Sequence, residues 1–278
     1  MARPRDMDAG TCDRARSGAL GRAGRLLIVV GLSPFALRSG RVRECVNYER
    51  RVAPLCDMQG SRLVVRESVI IYGASGHGKV VADIALCAGY TLAGFLDDDP
   101  SKVGSVLLGA PIFSWKAFSD RREAWHNSVV ALGIGDNAHR EQCFGRLRAS
   151  GIAIATLVHP TAVIARSARL GAGTVAMARA VVNPDAVVGE GSILNTGSIT
   201  EHDGDLGRFV HLSPNATLGG GVSIGDRTHI GLGAVVLPGI RVGADVRVGA
   251  GAAVHRPVKD GLTVVGVPAR PMPRRDLL

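Results

Sequence analysis

Three consecutive ionisable residues, Glu201-His202-Asp203, have types and spacing that suit catalysis. An imidazole, with an ordinary pKa of about 6.5, can take a proton from a nucleophile at neutral pH. An adjacent carboxylate can hold one tautomer of the ring and favour the imidazolium that forms. We therefore predict a catalytic centre in which His202 is a general base oriented by Asp203. The alternative is a solvated, charged corner.

These residues interrupt a six-residue repeat that runs from Ile164 to Val254. Fourteen of its sixteen key positions are branched aliphatics, but Thr200 takes that position just before Glu201. A period of six matches neither an α-helix nor a heptad. It predicts a parallel β-helix with coils of about 18 residues, stacked on a continuous core. With Thr200 inward, His202 can point into a groove; the alternative β-sandwich would need irregular strand breaks.

The predicted corners of the β-helix also carry a backbone requirement. Each hexad is expected to supply one inward aliphatic and a glycine or Asn at the corner, where a positive φ is needed. Glycine often follows the inward residue directly, as at Gly189 and Gly207.

Residues 67–158 are predicted to form a small Rossmann-like βαβ domain in front of the β-helix. Apolar runs predict strands at 68–72, 90–96, 128–134 and 152–158, and helices at 79–88 and from 137 to about 150. Alternation of strands and helices implies a parallel sheet.

A glycine-rich turn after the first of these strands is a candidate anion site. Its glycines let the backbone approach a phosphate, and the helix that follows offers free N–H groups. Asp97 ends the next strand, where an acid can bind ribose hydroxyls. The predicted nucleotide-sugar-binding residues are Gly73, Ser75, Gly76, His77, Gly78, Asp97 and Asp98. The alternative is a tight turn with Asp97 as a solvated cap; about 90 residues are too few for a full dinucleotide domain.

The net charge of +9 is concentrated in residues 1–66, which hold thirteen Arg against six acidic residues. The remaining chain is nearly balanced, which argues against nucleic acid as a partner. We predict that residues 1–66 are a disordered or over-extended N-terminus, with a secretory signal or a basic anion-binding tail as alternatives. No segment reaches membrane-spanning length. Beyond residue 60 only Cys87 and Cys143 remain, without metal spacing, which favours a cytoplasmic protein with no metal.

Several stretches together resemble the PglD/NeuD group of bacterial sugar O- and N-acyltransferases, which belongs to the hexapeptide-repeat acyltransferases. The matching stretches are Ile71–Asp83, Gly94–Asp98, Glu201–Asp203, His211 and Gly266–Arg270. The resemblance implies a left-handed β-helix at 159–271, followed by a tail at 272–278. It also implies a homotrimer with acetyl-CoA in the groove between neighbouring β-helices.

The resemblance also implies roles for single residues. A family histidine at the position of His202 is the general base, and His211 matches a second histidine near the acetyl group or the sugar. Gly220 lies one predicted coil after His202 and is the matching N–H donor to the oxyanion. The residues expected to line the CoA site are Gly220, Gly266, Pro268, Ala269 and Arg270.

The implied reaction is direct transfer of acetyl from acetyl-CoA to the amino group of a UDP-linked 4-amino-dideoxy sugar. O-acetylation of sialic acid or another sugar is the alternative. Two further hypotheses are a metal hydratase that binds zinc through His211 and His229, which lie one predicted coil apart, and a non-catalytic trimeric scaffold.

Overall fold

The computed structural model describes residues 45–46 and 67–272, all within one compact unit, Val42–Leu278. Of the predicted disordered or over-extended N-terminus, only a two-residue strand, β1 (Cys45–Val46), is described. The rest of that prediction, and the predicted tail beyond residue 272, lie outside the described residues.

The first half of the described chain is an α/β layer structure. Its elements are β2 (Ser68–Tyr72), α1 (Gly76–Cys87), β3 (Thr91–Leu96), β4 (Val106–Leu107), β5 (Ala110–Phe113), α2 (Trp115–Asp120), a 3₁₀ turn (Arg122–Trp125), β6 (Ser128–Leu132) and α3 (Asn137–Ala149). The sheet order is β4-β5-β3-β2-β6, and only β4 is antiparallel to its neighbour. The predicted parallel sheet is therefore confirmed.

The central strand β2 is buried on both faces, as a continuous apolar run predicts for a parallel sheet. Val69 and Ile71 belong to the same core as α1, whereas Ile70 and Tyr72 belong to the core that contains α3. Helices therefore cover both faces of the sheet.

One predicted element of this half is wrong. Residues 152–158 do not form a single strand, because Ile154 makes only an isolated bridge to Val130. The end of the segment, β7 (Leu157–Val158), pairs instead with residues of the next coil and begins the β-helix. β7 is part of the β-helix and not of the α/β sheet, since Leu157 N–H donates to Thr174 O at 2.9 Å.

The second half is a three-sided parallel β-helix. The first face contains β9 (Arg169–Gly171), β12 (Val187–Val188), β15 (Asp205–Leu206), β18 (Ser223–Ile224) and β21 (Arg241–Val242). The second face contains β8 (Val163–Ile164), β11 (Val181–Val182), β14 (Ile199–Thr200), β17 (Thr217–Leu218), β20 (Val235–Val236) and β23 (Ala253–Val254). The third face contains β7, β10 (Val175–Ala176), β13 (Ile193–Leu194), β16 (His211–Leu212), β19 (His229–Ile230), β22 (Arg247–Val248), β24 (Thr263–Val265) and β25 (Arg270–Pro271). β1 is antiparallel to β9, and β25 is antiparallel to β24.

The predicted hexad register is confirmed. Each strand stacks on the strand three hexads further along the chain, so Ile193 pairs with His211 and His211 pairs with His229. The second residue of nearly every two-residue strand is buried, and these residues form one continuous core. Thr200 occupies an inward position with 1% of its surface exposed.

At the corners, the residue with a positive φ and the residue that must be small are at different positions. A positive φ occurs three residues after the inward residue, as at Asp203 (58°) and Asn215 (57°). The glycine directly after the inward residue has another role: a β-carbon on Gly189 would collide with Gly207 O of the next coil. Glycine at position 189 is therefore required by the close approach of the next coil, and not by φ.

The two halves share buried surface along the third face. Leu157, Val175 and Ile193 of that face lie in the same core as helix α1 and strand β2. Phe144 of α3 makes an edge contact with Phe209, with 5.4 Å between ring centroids. The α/β half therefore lies beside the part of the third face that continues to His211 and His229.

Candidate active site

His202 and Asp203 lie together at the corner between the second and first faces. His202 Nδ1 is 2.7 Å from Asp203 Oδ2. Because an ionised carboxylate can only accept, Nδ1–H donates and Nε2 keeps a free lone pair in the neutral ring. The hydrogen bond to Asp203 raises the pKa of His202, burial opposes this, and the charges of Asp203 and Glu201 raise the pKa further. Both side chains are largely exposed in the single chain, at 63% and 66%.

The imidazole of His202 lies against Gly220 on the next coil, as the spacing of one coil predicts. A β-carbon on Gly220 would be 2.6 Å from Nε2 and 2.7 Å from Cε1 of His202. Gly221 N–H donates to His202 O at 2.9 Å, which ties the two corners together. Among the described residues, no group accepts from Gly220 N–H. The corner therefore combines a basic nitrogen with a nearby backbone donor.

Glu201 anchors this corner to the coil before it. Its Oε2 accepts a hydrogen bond from Asn183 Nδ2 at 2.8 Å, and Asn183 lies one coil earlier. The chemistry at the corner is thus concentrated on His202 and Asp203.

The glycine-rich turn between β2 and α1 is as tight as predicted. Gly73 has φ +116°, and a β-carbon there would lie 2.6 Å from Gly133 O. A β-carbon on Gly78 would collide with Gly73 O, whereas nothing lies within 4 Å of one on Gly76. Ser75 precedes the helix without capping it through its side chain. The turn therefore leaves open space at Gly76, at the start of a helix.

The two acidic residues predicted to bind the nucleotide already have partners within the chain. Asp97 Oδ2 accepts from Ala74 N–H at 2.7 Å and from Lys102 Nζ at 3.1 Å. Burial works to raise the pKa of Asp97, but hydrogen bonds from the Asp99 and Ala74 amides and from Lys102 outweigh it, so the pKa is lowered. Asp97 therefore holds the glycine-rich turn in place.

Asp98 is engaged on the other side of the sheet edge. Its carboxylate accepts from Tyr72 Oη at 2.8 Å and from Arg146 Nη1 at 2.9 Å. Burial raises the pKa of Tyr72, so this phenol stays protonated as a donor. A direct contact of Asp97 or Asp98 with a nucleotide stays a prediction.

His211 lies on the third face, where His77 from the glycine-rich turn approaches to 6.2 Å between ring centroids. Asn195 Oδ1 accepts from Thr196 N–H, so its Nδ2 faces His211 Nε2 at 3.2 Å. Because the amide nitrogen donates, Nε2 of His211 carries no proton. Burial, together with His229, Arg140 and His77, lowers the pKa of His211 to about 3.

His229 stacks against His211 with 4.6 Å between ring centroids and 6° between ring planes, which confirms the predicted stacking of these histidines. Its Nε2 is 2.7 Å from Ser213 Oγ. Burial lowers the pKa of His229, with Arg247 and Arg140 adding to the effect. Burial and then Arg140 lower the pKa of His77 to about 4. The three rings therefore form a neutral cluster.

A pocket of about 470 Å³ lies between this cluster and the start of α3. Its lining residues are Gly135, Asp136, Asn137, Ala138, His211, Arg227, His229, Asp245 and Arg247. In the described chain, one group of three donors is close enough to share a metal ion: Asp98, His139 and Cys143, outside this pocket. The stacked pair His211 and His229 is not part of this group, so a zinc site there would need a further ligand from His202 or from another subunit.

Within one chain, the structure does not bring all predicted residues together. His202 follows β14 of the second face and precedes β15 of the first, whereas His211 points outward from the third face. His202 and Gly220 thus form one group, and the glycine-rich turn with His77 and His211 forms another. Within one chain, these two groups therefore face in different directions.

The predicted CoA segment forms the end of the described chain. Gly266 has φ 92°, and Pro268 and Arg270 are exposed. Ala269 N–H donates to Ala253 O at 2.8 Å, which fixes the segment to the second face. Arg270 Nη1 lies 3.4 Å from His255 Nε2, a neighbour that the sequence pattern did not indicate. The guanidinium of Arg270 is therefore available at the surface.

Three residues with structural roles were not predicted from the sequence. Arg140 and Asn137 hold the loop before α3, which lines the pocket, and Lys102 binds Asp97. A signal was present for Arg140, because it precedes the apolar residues Cys143, Phe144 and Leu147 by three, four and seven positions and so shares their face of α3, whereas Arg146 does not. A signal was present for Asn137, which follows Asp136 at a polar turn after an apolar strand.

An α/β layer joined to a hexapeptide β-helix is the architecture that the resemblance to the hexapeptide-repeat sugar acyltransferases implies. A family model described as the PglD N-terminal domain matches residues 68–147. A curated relative, UDP-N-acetylbacillosamine N-acetyltransferase of Bacillus subtilis (strain 168), is 40% identical over 115 residues. That match covers 40% of this chain and 52% of the relative, so the chain spans about half of the relative's length.

Solved structures extend the similarity over both halves. PerB from Caulobacter crescentus, in complex with CoA and GDP-perosamine, is 38% identical with a TM-score of 0.70, covering 74% of this chain and 97% of PerB. The acetyltransferase domain of PglB from Neisseria gonorrhoeae FA1090 is 36% identical with a TM-score of 0.69, covering 74% of this chain and 100% of that domain. The chain belongs to the PglD-like, acetyl-CoA-dependent sugar acetyltransferases of the hexapeptide-repeat superfamily. Its predicted fold class, a small Rossmann-like domain followed by a left-handed parallel β-helix, is confirmed.

Within the described residues, no helix has both the length and the apolar character needed to cross a membrane.

Proposed function

We propose that the chain transfers acetyl from acetyl-CoA to the amino group of a nucleotide-linked 4-amino-dideoxy sugar, with UDP as the expected nucleotide. The observation that carries the proposal is the corner formed by His202, Asp203 and Gly220. It offers an unprotonated ring nitrogen, a carboxylate that fixes the ring, and a backbone N–H without a partner among the described residues.

The chemical step is direct transfer. The sugar amine attacks the thioester carbonyl, and Nε2 of His202 takes the proton that the amine loses. The tetrahedral oxyanion accepts from Gly220 N–H, and the intermediate then collapses. The C–S bond breaks, and the leaving sulfur takes the proton from the His202 imidazolium, so that CoA departs as the thiol. Asp203 stabilises the imidazolium between these two events.

The acceptor nucleotide is proposed to bind at the carboxyl ends of β2 and β6. From β2 the chain adds β3 and β5 on one side of the sheet and then returns to add β6 on the other side of β2. The order of strand addition therefore reverses between β2 and β6. Ligands of open α/β sheets bind at such a switch point. The glycine-rich turn after β2 and residues 133–137 after β6 meet there, since Gly73 packs against Gly133.

We propose a homotrimer because the two groups of site residues lie on different sides of the β-helix. A neighbouring copy would bring His202 and Gly220 to the nucleotide turn and His211 of the first copy. The second face supports this arrangement, because its outward residues are mostly apolar and partly exposed, with Val163 at 54% and Val235 at 38%. An exposed apolar stripe of this kind is typical of an oligomer interface.

Acetyl-CoA is proposed to lie along the groove between copies, towards the C-terminal segment. Gly220 marks the reacting end of this path. Residues Gly266 to Arg270 mark the other, where the exposed Arg270 guanidinium suits a phosphate.

The test is an acetyl-transfer assay read by mass spectrometry. The full chain is incubated with acetyl-CoA and a panel of UDP- and GDP-linked amino sugars, with sialic acid as a hydroxyl acceptor. We expect one acetyl group on a UDP-linked amino sugar and none with His202→Ala. If only a GDP-linked sugar is acetylated, the proposed nucleotide is wrong and GDP takes the place of UDP. If only sialic acid is acetylated, the enzyme is an O-acetyltransferase and not an N-acetyltransferase. No product on any acceptor would overturn the proposed activity.

A further inference from the structure

Arg140 in α3 is the largest side chain among the fully buried described residues, with 0% of its surface exposed. A buried guanidinium loses its hydration, so its N–H donors need acceptors within the protein. Every guanidinium nitrogen has one. Nε donates to Gly191 O at 2.6 Å, Nη1 to Ile134 O and Gly135 O at 3.0 Å, and Nη2 to Asn137 Oδ1 at 2.7 Å and Phe209 O at 2.9 Å.

None of these acceptors is a carboxylate. Asp136, in the loop before α3, is the acidic residue that interacts electrostatically with Arg140, but it accepts none of these hydrogen bonds. Four of the five acceptors are backbone carbonyls. The guanidinium therefore fixes the backbone at these residues, whereas a carboxylate acceptor would be a mobile side chain. This arrangement allows only one position of the guanidinium, because each lost hydrogen bond would leave a buried polar group unpaired.

The acceptors belong to two parts of the fold. Gly191 and Phe209 occupy the same corner of successive coils, and both have a positive φ. Ile134 and Gly135 lie in the loop between β6 and α3, and Asn137 is the first residue of α3. Arg140 therefore binds this loop to two coils of the β-helix at once.

The same loop is part of the proposed nucleotide site. Gly135 and Asn137 line the pocket beside His211. Asn137 Nδ2 also donates to Arg227 O at 2.8 Å, one coil beyond Phe209. At its start, Gly133 packs against the glycine-rich turn at Gly73 and Gly78. A shift of the loop would therefore shift both the pocket wall and the turn.

We propose that Arg140 is a positioning residue for the acceptor nucleotide sugar: it clamps residues 134–137 to the β-helix and sets the distance between the nucleotide-binding loops and the acetyl-transfer corner. This inference rests on the proposed function. Arg140 does not touch the reacting atoms, and its effect passes through the loop.

Lysine does not replace this geometry. It keeps the charge and much of the length, but it has three donors at one point, whereas the five acceptors surround a planar fork. Arg140→Lys is thus the variant that separates charge from geometry, and Arg140→Met removes both. Arg148→Met is the matched control, because Arg148 lies on the same helix and reaches the β-helix at Glu190, but through an exposed contact of 3.3 Å.

The experiment combines steady-state kinetics, calorimetric binding of UDP and hydrogen–deuterium exchange on the full-length protein. For Arg140→Lys we expect the KM of the nucleotide sugar and the Kd of UDP to rise about tenfold or more, since small misplacements of bound substrate have effects of this size. The KM of acetyl-CoA should stay within about twofold, as expected for a site away from the change. Amides of residues 133–138 should exchange faster, whereas Arg148→Met should resemble the wild type.

A purely structural role would give a different result. Arg140→Lys would then lower the melting temperature and the active fraction but leave both KM values and the UDP Kd unchanged, which would overturn the inference. Unchanged exchange at residues 133–138 would also overturn it, and this readout needs no turnover. If the wild type acetylates no acceptor, the proposed function fails, while the exchange result still decides whether Arg140 holds the loop. If Arg140→Met does not fold, Arg140→Lys carries the comparison.

Discussion

The Nε2 atom of His202 lies 2.6 Å from the place that a β-carbon would take on Gly220. Position 220 does not need glycine for its backbone, since only Gly221 beside it has a positive φ. The same corner carries Pro184 one coil before His202 and Pro238 one coil after Gly220. Glycine at 220 is therefore required by the imidazole that lies over it.

Gly220→Ala should reduce kcat by about tenfold to a thousandfold, because the new methyl group pushes His202 away and crowds the N–H donor to the oxyanion. The melting temperature should change little, since the methyl group meets one exposed ring. Steady-state kinetics and a thermal melt check this. A kcat that stays at the wild-type value in Gly220→Ala would contradict the assignment of this corner as the transfer site.

Asp203→Asn should change the pH dependence as well as the rate. The carboxylate raises the pKa of His202 above its usual value, and transfer requires the unprotonated ring, so the rate is lost as pH falls through that pKa. Removing the charge lowers the pKa, and the acidic limb of kcat/KM should move to lower pH. The maximal rate should fall by about tenfold to a hundredfold, because the imidazolium is less stabilised. An acidic limb that stays in place would contradict the assignment of His202 as base.

Gly76→Asp should abolish binding of the nucleotide sugar without loss of fold. Nothing lies within 4 Å of a β-carbon there, and an acidic residue in the first turn of α1 suits the helix dipole. The same carboxylate repels phosphates. Calorimetry with UDP should detect no binding, whereas Gly76→Ala, which adds no charge, should bind. Equal binding by both variants would place the nucleotide elsewhere.

Mixing two inactive variants tests whether the site is shared between copies. His202→Ala is defective in the transfer corner, and Gly76→Asp in the nucleotide turn. If each site takes one group from each of two neighbours, co-expressed subunits should recover about a quarter of wild-type activity, because random assembly leaves that share of interfaces intact. A site contained in one chain would recover none. The oligomeric state of the mixture is measured in parallel by light scattering.

Stability should fall in mild acid because the cluster of His77, His211 and His229 is kept neutral in the fold. The folded pKa is about 4 for His77 and about 3 for His211, against about 6.5 when unfolded. The unfolded chain therefore binds more protons below pH 6.5, and the free energy of unfolding decreases as pH falls. The loss is about 1.4 kcal/mol per pH unit for each buried histidine. Urea unfolding between pH 8 and pH 5 measures it.

His211→Phe should flatten this pH dependence, whereas His202→Ala should not, because the pKa of His202 shifts in the opposite direction. An unchanged slope in His211→Phe would mean that His211 is charged in the folded protein.

Periodicity determined the β-helix from the sequence alone. A repeat of six places Leu194, Thr200 and Leu206 inward whatever lies outside, because each coil can bury only one side chain per short strand. The coil length of about 18 residues also predicted that Gly220 lies one coil after His202 and that His229 stacks on His211. The α/β half was predicted less completely: β4, β5 and α2 lie in a stretch without clear periodicity.

Only the tertiary structure decided what individual polar residues do. Asp97 has the spacing of a ribose-binding acid, which stays a prediction. The structure adds that its carboxylate holds the glycine-rich turn, because Ala74 N–H and Lys102 lie within its reach. Burial of Arg140 depends on carbonyls 51 and 69 residues away in sequence, at Gly191 and Phe209. The separation of His202 from His211 likewise depends on which face of the prism each strand joins. Spacing along the chain determines which residues stack, whereas partners across the two halves exist only once both halves pack together.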